Sequence, residues 1–178
     1  MTQLFELQPF LCSSALSSIQ VKGELTRNPE CLRIRYVVVD PLGEVVALPP
    51  SDAPSRQDDL WATTCLELFF GPAGSENYWE INLSTAGHWN VYRFDAYRSG
   101  MREEASVTVL PFKVERPAGR LHLSLDLDLT LLGIGEGELE VAIATVLQSK
   151  NNLMSYWALT HPGAEADFHR RDSFILKA

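Results

Sequence analysis

Two carboxylates stand in apolar, strand-like sequence where a charge is expensive: Glu67 in CLELFF and Glu80 in YWEINLS. Glu67 shares a face with Cys65 and Phe69, while Leu66, Leu68 and Phe70 take the other. A half-buried carboxylate of this kind needs a hydrogen-bonding partner. A hairpin-length loop leads to the strand of Glu80 and Asn82, so the two carboxyls can approach each other. Such a pair can accept hydrogen bonds from sugar hydroxyls, serve as the acid and nucleophile of a glycosidase, or form an ordinary cross-strand contact. No residue is singled out as catalytic, because paired strand carboxylates are common and spacing alone does not set their separation.

Aromatic residues crowd the same stretch. A sugar stacks its C–H face on Trp or Tyr while carboxylates, amides and guanidinium groups bind its hydroxyls. Trp61, Tyr78, Tyr92, Tyr97 and Trp157 are the candidate platforms, with Glu80, Asn82, Asn90 and Arg98 as polar partners. The expected ligand contacts are therefore Trp61, Glu67, Tyr78, Glu80, Asn82, Asn90, Tyr92, Arg98 and Trp157. The segment HPGAEADFHRR gathers His161, Asp167, His169, Arg170 and Arg171, but a His spacing of eight matches no zinc pattern. It reads as a solvated loop anchored by Phe168, with Asp167 and His169 bonding loop backbone. No metal and no cofactor are expected; a haem held by Met101 or Met154 with His161 is a minor alternative.

The elements that must position these residues are strands. YWEINLS and HWNVYRFD alternate residue by residue and are joined by Thr85-Ala86-Gly87. With Ser84 opposite His88, Tyr78, Glu80, Asn82, Asn90 and Tyr92 share one face. Trp79, Ile81, Leu83, Trp89 and Val91 share the other and are expected in the core. CLRIRYVVVD and LHLSLDLDL also alternate strictly, ELEVAIATVLQ is apolar on both faces, and SVTVLPFKVE is expected as a strand that changes phase at Pro111. LFELQPF, SIQVKGELT, TCLELFFG, YWALT and SFILK read as further strands, and Leu129 to Leu132 as a short helix ending at Gly133. The Pro-rich loop LPPSDAPSRQDDLW, from Leu48, could rim a site. Many short strands with turns between them give an all-β fold, an antiparallel β-sandwich or jelly roll.

The chain of 178 residues, 46% hydrophobic, fits a single domain spanning 1–178. A net charge of -8 and the lack of a basic stripe argue against nucleic acid as a partner. No run reaches the ~18 apolar residues of a membrane span. The N-terminal stretch lacks the layout of a secretory signal, so a cytoplasmic location is expected. Cys12, Cys31 and Cys65 show no CxxC pairing and are expected as buried free thiols, a nucleophilic Cys65 being the alternative.

DLWATTCLELFF, NYWEINLSTAGHWNVYRFDAYRSGM and SYWALTHPGAEADFHRRDSF together resemble the DOMON-like group of β-sandwiches related to family 9 carbohydrate-binding modules. The likeness runs from about Leu60 to Phe174. Similar modules place a Trp and a Glu on one strand, here Trp61 and Glu67 at a longer spacing, then a Y-x-E run, here Tyr78 and Glu80. The resemblance implies a DOMON-like fold, a free-standing bacterial member, and noncatalytic binding of a sugar or haem. The expected function is thus a noncatalytic sandwich binding a small polar ligand, most simply a carbohydrate. The alternatives are a glycoside-active enzyme using the Glu pair, a haem-binding redox module, and a polar face that serves protein association or a homo-oligomer seam.

Overall fold

The structure, a computed structural model, describes residues 2–11 and 18–178; Cys12 lies outside them. Among the described residues twelve strands follow in chain order: β1 (Thr2–Pro9), β2 (Gln20–Asn28), β3 (Cys31–Val39), β4 (Cys65–Pro72), β5 (Tyr78–Ser84), β6 (Trp89–Phe94), β7 (Arg102–Glu103), β8 (Phe112–Glu115), β9 (Arg120–Asp128), β10 (Leu139–Gln148), β11 (Met154–Ala158) and β12 (Leu176–Lys177). All pair antiparallel and form two layers. One layer runs β1-β2-β3-β9-β8 and the other β7-β6-β5-β4-β10-β11, with β12 on the far end of β10. β1 belongs to both: Thr2 to Leu7 pair with β2, while Gln8 and Pro9 pair with β11. Where that strand crosses between layers, Pro9 gives up an amide hydrogen bond at little cost. No helix among the described residues is long and apolar enough to cross a membrane.

Alternation decides which side chains fill the space between the layers. Leu32, Ile34, Tyr36 and Val38 of β3 and Leu121, Leu123, Leu125 and Leu127 of β9 meet Leu66, Leu68 and Phe70 of β4 and Trp79, Ile81 and Leu83 of β5. The two layers are also tied by a buried hydrogen bond, Tyr36 Oη donating to the Glu67 carbonyl at 2.7 Å. Close packing has a backbone counterpart at Gly23 of β2, where a Cβ would lie 1.9 Å from the Arg35 carbonyl oxygen. Only glycine fits there.

Two strands are shorter than their sequence suggests. Over Ser106–Glu115 only Phe112–Glu115 forms β8; the residues before Pro111 make a turn instead. Glu104 accepts from the Ser106 amide and hydroxyl, and Val107 and Leu110 tuck into the core from the loop. Burial of two apolar anchors and local side-chain bonding outweigh β propensity here. SFILK likewise keeps only Leu176–Lys177 as strand, after a 3₁₀ turn over Arg171–Ser173. The expected helical turn Leu129–Leu132 is present as 3₁₀, capped by Asp128 and ended by Gly133 at φ 66°.

Candidate functional site

The β4–β5–β6 meander turns one face to the core and the other outward. Leu83 opposite Trp89 sets the register, and the Ser84 amide donates to the His88 carbonyl at 2.9 Å. Across the outward face two rows of partners follow. One is Tyr92, Glu80, Phe69 and Ala142; the other is Asn90, Asn82, Glu67 and Ala144. Ala142 and Ala144 of β10 are small, so the floor beside Glu67 and Phe69 is low. Two loops wall it. The Leu48–Trp61 loop brings Asp58, Asp59 and Trp61, and the C-terminal segment brings Ala166, Phe168 and His169. Together with Glu67, Glu80, Tyr92, Phe94, Arg98, Met101, Val146 and Tyr156 they enclose a cavity of about 830 Å³. That lies within the ~300–1,000 Å³ common for small-molecule sites.

Every residue of β4 from Cys65 to Gly71 is buried because the core covers one side and these loops cover the other. Glu67 and Glu80 therefore sit on the floor at 3% and 5% exposure. They are diagonal neighbours, since Glu67 faces Asn82 and Glu80 lies two residues away. Asn82 Nδ2 donates to Glu80 Oε1 at 2.7 Å. Glu67 Oε1 and Asn82 Oδ1 are buried with no partner. Burial, and then the nearby Glu80 carboxyl, push Glu67 well above the usual carboxylate range. Burial raises Glu80 to about 7 against the pull of Asn82 and Arg98.

His169 closes one corner. Its Nδ1 lies 2.9 Å from Tyr78 Oη, and the Arg98 amide donates to that same oxygen at 3.3 Å. Which of Tyr78 Oη and Nδ1 donates follows the tautomer of the imidazole. Nε2 is 3.8 Å from Glu80 Oε2, too long for a direct hydrogen bond. Burial, followed by the Arg98 charge, lowers His169 to about 4, so the ring is neutral near pH 7. Phe69, Tyr78 and Phe94 hold it edge-on. Arg98, at φ 50°, gives its guanidinium to Asp167 at 2.9 Å, and Tyr97 donates to the same carboxylate. Burial opposes ionisation of Asp167, yet the bonds from Tyr97 and Arg98 hold it below the usual range.

The expected contacts divide by this geometry. Trp61, Glu67, Glu80, Tyr92 and Arg98 line the cavity. Asn82 lies in the floor, and Tyr78, stacked on Phe94 at 4.7 Å, supports His169 from beneath. Asn90 is consumed by architecture. Its Oδ1 accepts from Arg56, and its Nδ2 donates to Asp58, the Gln57 carbonyl and Tyr92 Oη. Arg56 also donates to the Glu104 and Val107 carbonyls and lies over the Trp89 ring, which clips the Pro-rich loop to β6. Trp157 faces the core, because β11 is in the phase that turns Tyr156 to the cavity. His161 binds the Gln8 carbonyl through Nε2 and is not among the cavity-lining residues.

Asp58, Asp59, Phe94, Val146, Tyr156 and Ala166 are lining residues that spacing does not single out, whereas His169 and Phe168 belong to the segment expected as a solvated loop and Met101 is read from the sequence only as a haem ligand. The expectation that His169 bonds loop backbone is corrected: its ring pairs with Tyr78 Oη at the cavity corner, and only its amide bonds locally, to Asp167. Among the described residues no three or more His, Cys, Asp or Glu side chains are grouped to hold a metal ion.

No protein-family model matches the sequence, and no curated protein does. Solved structures do match in shape. A Bacteroides uniformis protein proposed to bind carbohydrate superposes with TM-score 0.66 and 11% identity, over 96% of this chain and 83% of that one. A family 9 carbohydrate-binding module of Caldicellulosiruptor kristjanssonii, in complex with glucose, gives TM-score 0.57 and 10% identity, over 99% of this chain and 82% of that one. Its cellotriose complex gives 0.55 and 8%, over 92% and 75%. The chain thus has the β-sandwich fold found in family 9 carbohydrate-binding modules.

Proposed function

We propose that this chain binds a carbohydrate without transforming it, in the cavity on the outward face of the β4–β5–β6 meander. The observation that carries the reading is the pair of unpartnered buried acceptors, Glu67 Oε1 and Asn82 Oδ1, at the floor of an aromatic-walled cavity. A buried unsatisfied polar atom costs roughly 1–3 kcal/mol, which a ligand donating hydrogen bonds recovers. Sugars carry such donors in dense array, and their C–H faces match the rings of Trp61, Tyr92, Phe94, Tyr156 and Phe168. Modules of the same fold are complexed with glucose and cellotriose, which supports the class of ligand. A finer kinship to DOMON-like sandwiches and a cytoplasmic place of action belong to the same proposal. The strand pattern supports the first, and the free thiols Cys31 and Cys65 support a reducing compartment.

Calorimetric titration with glucose, cello-oligosaccharides and other common sugars tests it. Binding is expected, and weakening by about tenfold in Trp61→Ala, which loses a half-exposed stacking face. Absence of heat with every sugar overturns the proposal. One feature favours a second reading, a hydrolase: two carboxyls of raised pKa on neighbouring strands. New reducing ends in the same mixtures, lost in Glu80→Gln, would replace the binding reading with that one.

A further inference from the structure

We infer that the ligand of this cavity carries a protonated amine, an amino sugar whose ammonium group sits over Glu67, Asn82 and Glu80. The inference rests on the carbohydrate reading above and narrows it.

The charge around the cavity is the first reason. Asp58, Asp59, Glu67 and Glu80 line it, and among the described residues Arg98 is the one lining residue with a fixed positive charge. That guanidinium is already bonded to Asp167, and burial keeps His169 neutral. Carboxyl groups thus outnumber cations in the lining, and the lining guanidinium is committed to Asp167.

The second reason is the polarity of the open bonding positions. Asn82 spends its amide nitrogen on Glu80 Oε1, which fixes the orientation of its side chain and leaves Oδ1 as an acceptor. Glu67 Oε1 is the other unpartnered buried atom on this floor. An ammonium brings three donors and no acceptor, so its three bonds match Glu67, Asn82 and Glu80. A hydroxyl brings one donor and sets its own lone pairs against the remaining acceptors. Tyr92, opposite Glu80 in register, adds an aromatic face to the cation's surroundings.

The third reason is what faces the two carboxyls. Around Glu67 stand Cys65 on its own strand, Glu80 and Asn82 on β5, Ala144 on β10 and, at its carbonyl, Tyr36 of β3. Around Glu80 stand Asn82, Tyr92, His169 and Arg98. Glu67 has no cation among these, so burial and Glu80 keep it protonated. An ammonium placed there stabilises both carboxylates, and the proton of Glu67 leaves to solvent as the ligand binds.

Titration calorimetry of the whole chain near pH 7 with glucosamine, glucose, N-acetylglucosamine and ethanolamine tests this, repeated in buffers of low and high ionisation enthalpy. Glucosamine is expected to bind at least about tenfold more tightly than glucose or N-acetylglucosamine. Its apparent heat should depend on the buffer in the sense of proton release, with none released by glucose. Glu67→Gln and Glu80→Gln should erase the preference for glucosamine over glucose. Glucose or N-acetylglucosamine binding as tightly as glucosamine overturns the inference and leaves the carbohydrate reading standing. Ethanolamine binding as tightly as glucosamine overturns the assignment to an amino sugar. Silence from every sugar overturns the carbohydrate reading itself. Should a variant fail to fold, the buffer dependence of the unaltered protein decides.

Discussion

The two layers turn opposite outer faces to the world, and both faces come from strands with the same period-two pattern. On the β2–β3–β9 face the polar residues pair at the surface: Arg33 reaches Asp126 at 2.5 Å and Arg35 reaches Glu24 at 3.0 Å, with half or more of each arginine exposed or nearly so. On the β4–β5–β6 face the polar residues are buried and partly unsatisfied. Loops make the difference. On the first face the Arg33–Asp126 and Arg35–Glu24 pairs stand open to solvent, so water competes for their bonds and the charges stabilise little. The second is walled by two long segments, so each polar atom must find a partner or wait for one.

The sharpest way to break this contrast is pH. Glu80 ionises at an ordinary 4.5 in the unfolded chain and about 7 in the fold, so the folded state keeps the proton longer. The resulting penalty is absent below about pH 4.5, accumulates as pH rises, and is complete above about 7. Asp126 on the other face behaves in the opposite sense, since Arg33 lowers it and its contribution fades as pH falls. Glu80→Gln is expected to stabilise the ligand-free protein by about 3 kcal/mol near pH 8 and by almost nothing near pH 4.5, measured by urea denaturation. A gain that does not depend on pH contradicts the buried, protonated state.

A smaller effect is expected at Asn90. Alanine there leaves Arg56 and Asp58 with lost partners and loosens the loop, costing about 2–3 kcal/mol. Ser124→Ala, at a half-buried position of the other face, is expected within about 0.5 kcal/mol of the parent. Equal costs at the two positions would dissolve the distinction. The smallest effect is Arg33→Gln, for which no change in melting temperature is expected at high salt, where surface pairs are screened. A large loss there would mean that the open face contributes more than its exposure allows.

How much of the site could be read in the sequence follows from which interactions are local. The pairing of Ser84 with His88 was legible because a three-residue loop joins two alternating strands, and pairing then sorts Glu80, Asn82 and Tyr92 from Trp79, Ile81 and Leu83. Glu67 was legible as a carboxylate in an apolar run. Asn90 shares the polar row, yet its bonds go to Arg56, thirty-four residues earlier, a partner no spacing rule proposes. Trp157 and Tyr156 are adjacent, and local pattern could not tell which would face the core.

Alternation and turn residues by themselves determined most of the strands, the two faces of the β4–β5–β6 meander and the antiparallel sandwich, because side-chain direction in a strand is set by the backbone within a few residues. Only the tertiary structure decided that the polar row is a cavity floor. It brought His169 and Phe168 from the C-terminal segment, and Asp58 and Trp61 from the Pro-rich loop, over Glu67 and Glu80. Burial, and with it the protonation of those carboxyls, depends on chain segments about ninety residues apart meeting across a sheet, and no local pattern encodes that meeting.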